Sequence, residues 1–304
     1  MDVYLPIANL AVNGLFIVAL GGLTGVLSGV FGVGGGFLTT PLLIFYGIPP
    51  TVAAASAASQ VTGASVSGVF AHSRRGGVDY QMGGVLVLGG VLGTGIGALL
   101  FRMLSALGQI DTVISVLYVV LLGSIGGFMA RDSVREIRAH ASGVPIAASK
   151  RRHHPLVANL PLRWRFYRSG LYISPLAPFL LGVVTGIVTM LMGIGGGFMM
   201  VPAMLYILGM SAGVVVGTSL FQIMFVTMAT TMMHALTTHA VDMVLAVLLL
   251  LGSVTGAQVG ARLALSVRPE RLRLALAAIV LVVAFRMALG LTYRPDAIYT
   301  MTPL

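Results

Sequence analysis

Two glycine triplets are the residues of this 304-residue chain whose type and spacing could bind a ligand. Residues 32–41 read GVGGGFLTTP, and residues 193–202 read GIGGGFMMVP. Glycine allows a sharp backbone turn and leaves the N–H groups uncovered by any Cβ atom. A helix that begins after such a turn presents free N–H groups and the positive end of its dipole, which is the chemistry of an anion site. The candidate backbone-binding residues are Gly34, Gly35, Gly36 and Phe37, with Gly195, Gly196, Gly197 and Phe198.

Neutral polar side chains near the triplets could complete such a site. Thr39 and Thr40 follow the first triplet, whereas Met199 and Met200 follow the second, so the two ends of the site differ. Further downstream, hydroxyl and amide side chains lie four residues apart on one helix face in each copy. The alternative interpretation is that these groups only join helices within the membrane. The candidates are Thr39, Ser56, Gln60, Thr218, Ser219 and Gln222.

Two histidines end the same downstream segments. His72 and His234 are titratable and could carry a coupling proton. The alternative is that they cap the segments at the membrane interface. The chain has no cysteine, so thiolate metal sites are excluded. We expect no metal, no cofactor and no catalytic residues.

The elements that must position these residues are membrane-spanning helices. The chain is 57% hydrophobic and 9% charged, with no Asp, Glu, Lys or Arg at positions 3–73 or 169–241. Such runs far exceed the roughly 20 residues that one spanning helix needs. Strand-type alternation is absent, so the sequence predicts an all-α polytopic membrane protein whose first span belongs to the mature chain.

The second half of the chain repeats the first. Adding 161 maps the first triplet onto the second, adding 162 maps Gln60 and His72 onto Gln222 and His234, and adding 163 maps Asp79 and three spaced glycines onto their counterparts. Each half divides into five hydrophobic segments, of which the second is short, at about 12 residues or about 18 Å. The segments are predicted at 9–32, 37–48, 51–72, 82–102 and 111–130, and at 172–193, 198–210, 212–236, 242–264 and 270–291.

Positive residues predict how the segments cross. Nine of the 18 Lys and Arg lie in residues 131–168. If the short segments cross, the halves are inverted and 15 of the 18 lie on the cytoplasmic side, in loops near 74, 131–168 and 262–273. If they dip in and return, each half has four crossings in parallel repeat, and about 11 lie inside. The positive-inside rule favours inverted halves, with a first repeat at 1–130, a basic cytoplasmic loop at 131–170 and a second repeat at 171–304.

An inverted repeat with short helices is typical of a secondary transporter whose site lies near the midplane. A cation transporter would be expected to carry an acidic residue within a span, and the only candidates, Asp79 and Asp242, stand at segment starts. The sequence therefore predicts a small anion held by backbone amides. Valine at Gly35 or Gly196 should then abolish binding without unfolding the protein. The glycine series at 89–97 and 252–260 are predicted to pack helices between the halves.

Other functions are weighed against this one. The triplets lack the Lys-Ser/Thr ending of a P-loop, and no set of acids, bases or metal ligands lies within the spans, which disfavours nucleotide enzymes and membrane enzymes. An anion channel, and a proton-coupled importer of a small organic anion, stay open. Since nine of the cations lie in one loop, we expect contact with membrane lipids and no nucleic-acid partner; a homo-oligomer stays open.

The doubled GxGGGF-xxx-P element, each copy followed by a small-residue helix ending near a histidine, resembles the sulfite exporter TauE/SafE family of membrane permeases. The resemblance covers about residues 10–290 and implies transport of sulfite, sulfonates or related sulfur-containing anions across a bacterial plasma (inner) membrane. The long basic loop departs from the short connector expected in the family. Because a negative cytoplasm favours anion exit by about 2.3 kcal/mol per charge and 100 mV, export is expected.

Overall fold

The computed structural model describes residues 2–31, 33–141, 163–263 and 269–292, and these residues are mostly helical. A two-stranded antiparallel hairpin opens each half and is followed by five helices. The first half contains β1 (Asp2–Leu5), β2 (Leu10–Asn13), α1 (Gly14–Phe31), α2 (Gly36–Phe45), α3 (Pro50–Ser73), α4 (Tyr80–Ala106) and α5 (Ile110–Ala141). The second half contains β3 (Trp164–Phe166), β4 (Leu171–Ile173), α6 (Leu176–Met192), α7 (Gly197–Tyr206), α8 (Ala212–Thr237), α9 (Met243–Leu263) and α10 (Pro269–Thr292).

Each of the ten predicted segments corresponds to one helix, but the two hairpins were not predicted. The first segment was expected to begin near residue 9, whereas residues 2–13 pair as a hairpin with Asp2 opposite Asn13. α1 begins only after this hairpin, because Oδ1 of Asn13 accepts hydrogen bonds from the N–H groups of Leu15 and Phe16. This contact is a helix N-cap, which fixes the start of α1.

The helices are long and apolar enough for a polytopic membrane protein. Within the described residues, six helices or parts of helices meet the length and hydropathy that a span requires, namely those of α1, α4, α5, α8, α9 and α10. α3 has 24 residues but is rich in Ala, Ser and Gly. The helices α2, α6 and α7 are shorter.

Helices of one half pack mainly against helices of the other. α1 runs alongside α9, and α6 runs alongside α4, with glycines where the backbones meet. A Cβ atom at Gly93 would overlap the carbonyl oxygen of Val183, and one at Gly256 would overlap that of Gly22. The prediction that the two spaced glycine series pack the halves together is therefore confirmed.

The corresponding helices α3 and α8 cross at the centre of the bundle and run antiparallel. Near the middle, Oγ1 of Thr62 lies 2.8 Å from Oγ1 of Thr227. One turn earlier in α3, Oγ of Ser59 donates to Oγ1 of Thr231, one turn later in α8. The contacts thus advance along one helix as they recede along the other.

Each short helix returns to the end of the bundle at which its half began. The ring of Tyr46, just after α2, stacks on Phe16 at the start of α1, with 5.0 Å between centroids. Met204 of α7 packs in a cluster with Phe166 and Leu171 of the second hairpin. α1 with α2, and α6 with α7, are therefore antiparallel pairs, and the glycine triplets that join them lie inside the bundle.

The described cations at the ends of helices lie mostly at one end of the bundle, here called the basic end, where α5 ends and α6 begins. Arg168, just before β4, donates a hydrogen bond to the carbonyl oxygen of Gly76, which joins the α3–α4 turn to the second hairpin. The predicted basic loop at 131–170 is described only in part, since α5 continues to Ala141 and β3 starts at Trp164. Residues 142–162 lie outside the described residues.

Candidate functional site

The two glycine triplets form equivalent turns inside the bundle. Gly34 and Gly35 have φ angles of 82° and 71°, and Gly195 and Gly196 have φ angles of 79° and 70°. Such left-handed angles favour glycine. Gly35 and Gly196 are the N-caps of α2 and α7, and no side chain caps either helix. The first N–H groups of both short helices are therefore left without a side-chain partner.

The two turns meet each other at the level of the α3–α8 crossing. A Cβ atom at Gly36 would lie 2.9 Å from the carbonyl oxygen of Gly193, and one at Gly197 would overlap the carbonyl oxygen of Val33. Val61, in the middle of α3, would lie 3.0 Å from a Cβ atom at Gly34. The structure thus brings the two predicted backbone sites together, in a conformation in which the turns touch.

The two predicted phenylalanines join the same centre through their rings. Phe37 and Phe198 stack with 5.0 Å between centroids and an interplanar angle of 11°. Both are buried in the cluster that also contains α5 and α10 residues. Their position supports the geometry of the turns, because each ring follows its triplet directly and fixes one short helix against the other.

A hydroxyl pair from the first helix of each half lies against each triplet, and sequence reasoning missed both pairs. A Cβ atom at Gly35 would lie 3.2 Å from Cβ of Ser28, and its other close neighbour is the backbone of Thr24. Thr185 and Thr189 occupy the same places beside Gly196. Their recurrence at an offset of 161, with i, i+4 spacing, was the signal that could have found them. Oγ of Ser28 is buried and has no hydrogen-bond partner within the described part of the chain.

The crowding at Gly35 corrects one expectation from the sequence. A Cβ atom there would lie 2.7 Å from the carbonyl oxygen of Thr24, and the φ angle is left-handed. At Gly196 a Cβ atom would lie 3.0 Å from Oγ1 of Thr189, again at a left-handed φ. Valine at either position would therefore be strained, and we expect such variants to lose stability as well as binding, contrary to the expectation from the sequence.

The paired glutamines are both fully buried but are bonded differently. Nε2 of Gln60 donates to Oγ1 of Thr24 at 3.0 Å. Neither the nitrogen nor the oxygen of the Gln222 amide has a partner among the described residues. Gln222 lies against α4, where a Cβ atom at Gly90 would be 3.2 Å from its Nε2. An unpartnered buried amide costs about 1–3 kcal/mol, so a ligand that paired with it would relieve that cost.

The remaining predicted hydroxyls are bonded to backbone groups of the protein. Oγ of Ser56 accepts a hydrogen bond from the N–H of Asp242 at 3.0 Å, and Oγ1 of Thr218 accepts one from the N–H of Asp79 at 2.9 Å. Oγ1 of Thr39 donates to the carbonyl oxygen of Gly35, and Oγ of Ser219 donates to that of Val216. Ligand contact by these four side chains stays a prediction, and each has a structural role in this conformation.

Asp79 and Asp242 are buried carboxylates that the sequence placed only at segment starts. Oδ1 of Asp79 accepts from the N–H groups of Gln81 and Met82, and its Oδ2 accepts from the N–H and hydroxyl of Ser169. Asp242 accepts equivalent bonds from Val244, Leu245 and Ile7. Each aspartate therefore begins the fourth helix of its half and holds the hairpin that opens the other half.

The two histidines are in different surroundings. His234 is fully buried, with Nε2 3.0 Å from the carbonyl oxygen of Met190 and Nδ1 3.2 Å from Oγ1 of Thr238. Its ring packs edge-on against Phe101. His72 is half-buried, and its carbonyl oxygen accepts hydrogen bonds from Arg75 and Gly77 at the end of α3. Proton coupling by either residue stays a prediction.

The charge at the central turns comes from the backbone. The triplets lie within the stretches that contain no Asp, Glu, Lys or Arg. Within the part of the chain that the structure describes, no group of three or more His, Cys, Asp or Glu side chains could hold a metal ion. Helix N-termini, hydroxyls and one unpartnered amide are an arrangement suited to an anion of small size.

Comparison with known proteins places the chain in a family. The model of the sulfite exporter TauE/SafE family matches residues 17–287, which include both triplets and every helix from α1 to α9. The chain belongs to the TauE/SafE family. It is therefore a membrane transporter in class, and its family resemblance extends over both halves of the chain.

Curated relatives agree with this class. A probable membrane transporter protein YjnA from Bacillus subtilis is 27% identical over 274 residues, which cover 89% of this chain and 98% of the relative. A probable membrane transporter protein from Xylella fastidiosa (strain Temecula1) is 27% identical over 249 residues, which cover 81% of this chain and 83% of the relative. MJ0441, a probable membrane transporter protein from Methanocaldococcus jannaschii, is 23% identical over 287 residues, which cover 90% of this chain and 94% of the relative. No solved structure matches the chain.

Proposed function

We propose that this TauE/SafE protein is a secondary transporter of a small anion, and that sulfite, an organosulfonate or a related sulfur-containing anion is its substrate. The anion binds at the midplane, between the N-termini of α2 and α7. The backbone N–H groups after Gly34–Gly36 and Gly195–Gly197 supply most of the charge stabilisation. The Gln222 amide, which has no partner in this conformation, supplies a side-chain donor.

The observation that carries this proposal is the meeting of two uncapped helix starts at the centre of the bundle. The unpartnered buried amide of Gln222 stands on α8, one residue before Ile223, whose side chain packs against Gly195 and Gly197. A cation at this place would face the positive ends of both helices. An anion would instead complete the hydrogen bonding of N–H groups that otherwise have no side-chain partner. Because the turns touch here, binding requires them to separate.

The proposal includes an inverted arrangement of the two halves in the membrane. The antiparallel crossing of α3 and α8 and the return of both short helices support it. With the basic end in the cytoplasm, most Lys and Arg lie inside, as the positive-inside rule requires. Each short helix ends on the side at which its half begins, as it would with five full crossings, so the count of positive residues on each side is unchanged.

Export follows from the charge of the substrate. With the cytoplasm negative, each negative charge that leaves gains about 2.3 kcal/mol per 100 mV, so a dianion needs no coupled ion. An importer would need a coupled proton or cation. His72 and His234 are the titratable candidates for that role, and His234 is held by a backbone carbonyl and a threonine.

A binding panel on the purified protein tests the substrate class. Sulfite, sulfate, thiosulfate, taurine, sulfoacetate and short carboxylates are compared by thermal shift, with sodium and potassium chloride as salt controls. We expect at least one sulfur-containing anion to raise the melting temperature in a saturable way. Gln222→Leu should weaken the binding of that anion. Gln109→Leu, at an exposed turn between α4 and α5, should leave its binding unchanged. A panel in which only cations stabilise the protein would refute the proposal.

Flux measurements separate a carrier from the alternatives. A carrier in proteoliposomes should show saturable flux and counterflow of the best anion, and an interior-negative potential should accelerate its exit. Resolved unitary currents would identify an anion channel. Uptake that requires a proton gradient and is lost in His234→Gln would identify a proton-coupled importer.

A further inference from the structure

A groove with three arginines at its mouth lies between α3 and α9, and no residue of the two glycine turns lines it. Its volume is about 690 Å³, and its walls include Val66 and Phe70 from α3 and Val254 from α9. Arg74 and Arg75 follow α3, and Arg262 stands near the end of α9. All three arginines lie at the basic end and are exposed.

The groove extends over about half of the membrane thickness. Gly63, at its deep end, lies in the middle of α3 and is 11 residues before Arg74. At about 1.5 Å per helical residue, this separation is about 16 Å, close to half of a hydrocarbon core of about 30 Å. Leu250 closes the groove there, since its Cδ1 atom would be 2.9 Å from a Cβ atom at Gly63. The groove therefore has the length of one leaflet.

The charges at the mouth are not neutralised by the described part of the protein. No Asp or Glu lines the groove, and no ion pair involving Arg74, Arg75 or Arg262 is found among the described residues. Three guanidinium groups side by side repel one another, and an anion with several oxygens would relieve that repulsion through paired hydrogen bonds. A phosphodiester has this chemistry.

The equivalent surface of the other half lacks the glycine at the deep end and the arginines that correspond to Arg74 and Arg262. The residues that correspond to Gly63, Val66 and Phe70 are Phe225, Met228 and Met232, and those that correspond to Arg74 and Arg262 are Leu236 and Leu99. Larger apolar side chains thus replace the glycine floor, and leucines replace the arginines. The duplicated framework does not require these arginines, so they have another use.

We propose that the α3–α9 groove binds one anionic phospholipid, with the phosphate held by Arg74, Arg75 and Arg262 and one acyl chain lying along Val66, Phe70 and Val254. An apolar channel of one-leaflet length with cations at the headgroup level matches both parts of such a lipid. A small transported anion would match the arginines but not the apolar walls. This site is independent of the proposed function of the two glycine turns.

Native mass spectrometry of the full chain tests the lipid site. Phosphatidylglycerol and phosphatidylcholine with identical acyl chains are titrated into the detergent-purified protein. We expect the first phosphatidylglycerol to bind about tenfold more tightly than phosphatidylcholine, because three cations face its headgroup. The triple substitution of Arg74, Arg75 and Arg262 by Gln should remove this preference. The same three residues changed to Lys should keep most of it, and Arg102→Gln, an exposed arginine of α4, should leave it unchanged.

A second variant tests the acyl-chain part of the groove. Val66→Phe narrows the groove without changing its charge, and should lower the binding of both lipids to this site. A phosphatidylglycerol with a photoreactive acyl chain should crosslink to peptides within 63–75 and 250–262 of the wild type. Equal affinity for the two lipids, retained preference in the triple Gln variant, or crosslinks confined to other helices would each overturn the proposal. Displacement of the lipid by the transported anion, at concentrations that saturate transport, would assign the groove to that anion instead.

Discussion

Gln60 and Gln222 occupy equivalent positions in the two halves, yet only one of them is bonded to the protein. Gln60 donates to Thr24, whereas the Gln222 amide has no partner among the described residues. The surrounding framework is the same in both copies, with a left-handed glycine turn, a neighbouring hydroxyl pair and an uncapped short helix. The difference indicates that the duplicated framework builds the site, and that individual side chains have diverged to make its two sides unequal.

The framework itself is preserved through backbone contacts. Asp79 and Asp242 each cap the fourth helix of their own half and bind the hairpin of the other, and Thr218 and Ser56 accept hydrogen bonds from their N–H groups. Glycine crossings repeat in the same way. These contacts are insensitive to what the site binds, so they should respond alike to mutation in the two halves.

The largest expected effect concerns the side of the membrane reached by the two short helices. Tyr46 and Ile207 are equivalent residues, both partly exposed, at the ends of α2 and α7. Because the chain has no cysteine, Tyr46→Cys and Ile207→Cys can be labelled singly in intact cells with an impermeant maleimide. We expect the first to be labelled from outside and the second only after permeabilisation. Labelling of both from the same side would refute the inverted arrangement.

The next largest effect is the loss of stability when a glycine of α4 that meets another helix is replaced by alanine. A Cβ atom at Gly93 would overlap the carbonyl oxygen of Val183, whereas one at Gly95 would meet nothing within 4 Å. Gly93→Ala should lower the free energy of unfolding by about 1–3 kcal/mol or more, because two helices must separate. Gly256→Ala, the equivalent change in the other half, should do the same. Unfolding in mixed micelles measures the stability of the Gly93→Ala, Gly256→Ala and Gly95→Ala variants. If Gly95→Ala lowers the free energy of unfolding as much as Gly93→Ala does, this packing is contradicted.

The buried aspartates should also behave alike. Asp79→Ala and Asp242→Ala each remove a helix cap and the acceptor for a hairpin N–H, so each should lower the free energy of unfolding by about 2 kcal/mol. Asp2→Ala, at an exposed position of β1, should change it by less than about 0.5 kcal/mol. A strong loss in one aspartate variant and none in the other would show that the equivalent hydrogen bonds are not equivalent in energy.

The smallest effect on stability is expected at the two glutamines. Replacing them by leucine should change the free energy of unfolding in different directions in the two halves. Gln60→Leu loses the bond to Thr24 and should lower the free energy of unfolding by about 1 kcal/mol, whereas Gln222→Leu should leave it unchanged or raise it by about 1 kcal/mol. Affinity for the best anion should fall about tenfold or more in Gln222→Leu. Equal destabilisation of both variants, with unchanged affinity, would mean that both amides only join helices.

The sequence predicted the helices well because their signal is a local one. Charge-free apolar runs, broken by glycine and proline, set nine of the ten segments to within about five residues, and internal duplication located the glycine crossings. The exception is α5, which continues to Ala141, beyond the predicted end at residue 130. The hairpins at 2–13 and 164–173 were missed because their strands are only three or four residues long and are held by buried aspartates distant in sequence. The crossing of the short helices stays a prediction. The contact between Tyr46, at the end of α2, and Phe16, at the start of α1, depends on a turn whose position no local pattern reports.

The site was predictable only in its backbone part. The triplets were identified from repetition, but Thr24, Ser28, Thr185 and Thr189 were not. Hydroxyls on apolar helices have many roles, and the neighbours of these four lie on the far side of a glycine turn. Ser56 and Thr218 had the expected spacing but are bonded to the N–H groups of the opposite half's aspartates. Which face of a helix meets which partner is decided by packing of the whole bundle, and this information is absent from a helix read alone.

Electron cryomicroscopy of the protein with the best anion of the binding panel would test the central claim most directly. We predict density for one anion between the N-termini of α2 and α7, within hydrogen-bond distance of the N–H groups after both triplets and of the Gln222 amide. Anion density elsewhere, for example at Arg74 and Arg262, with the two glycine turns still in contact, would contradict it.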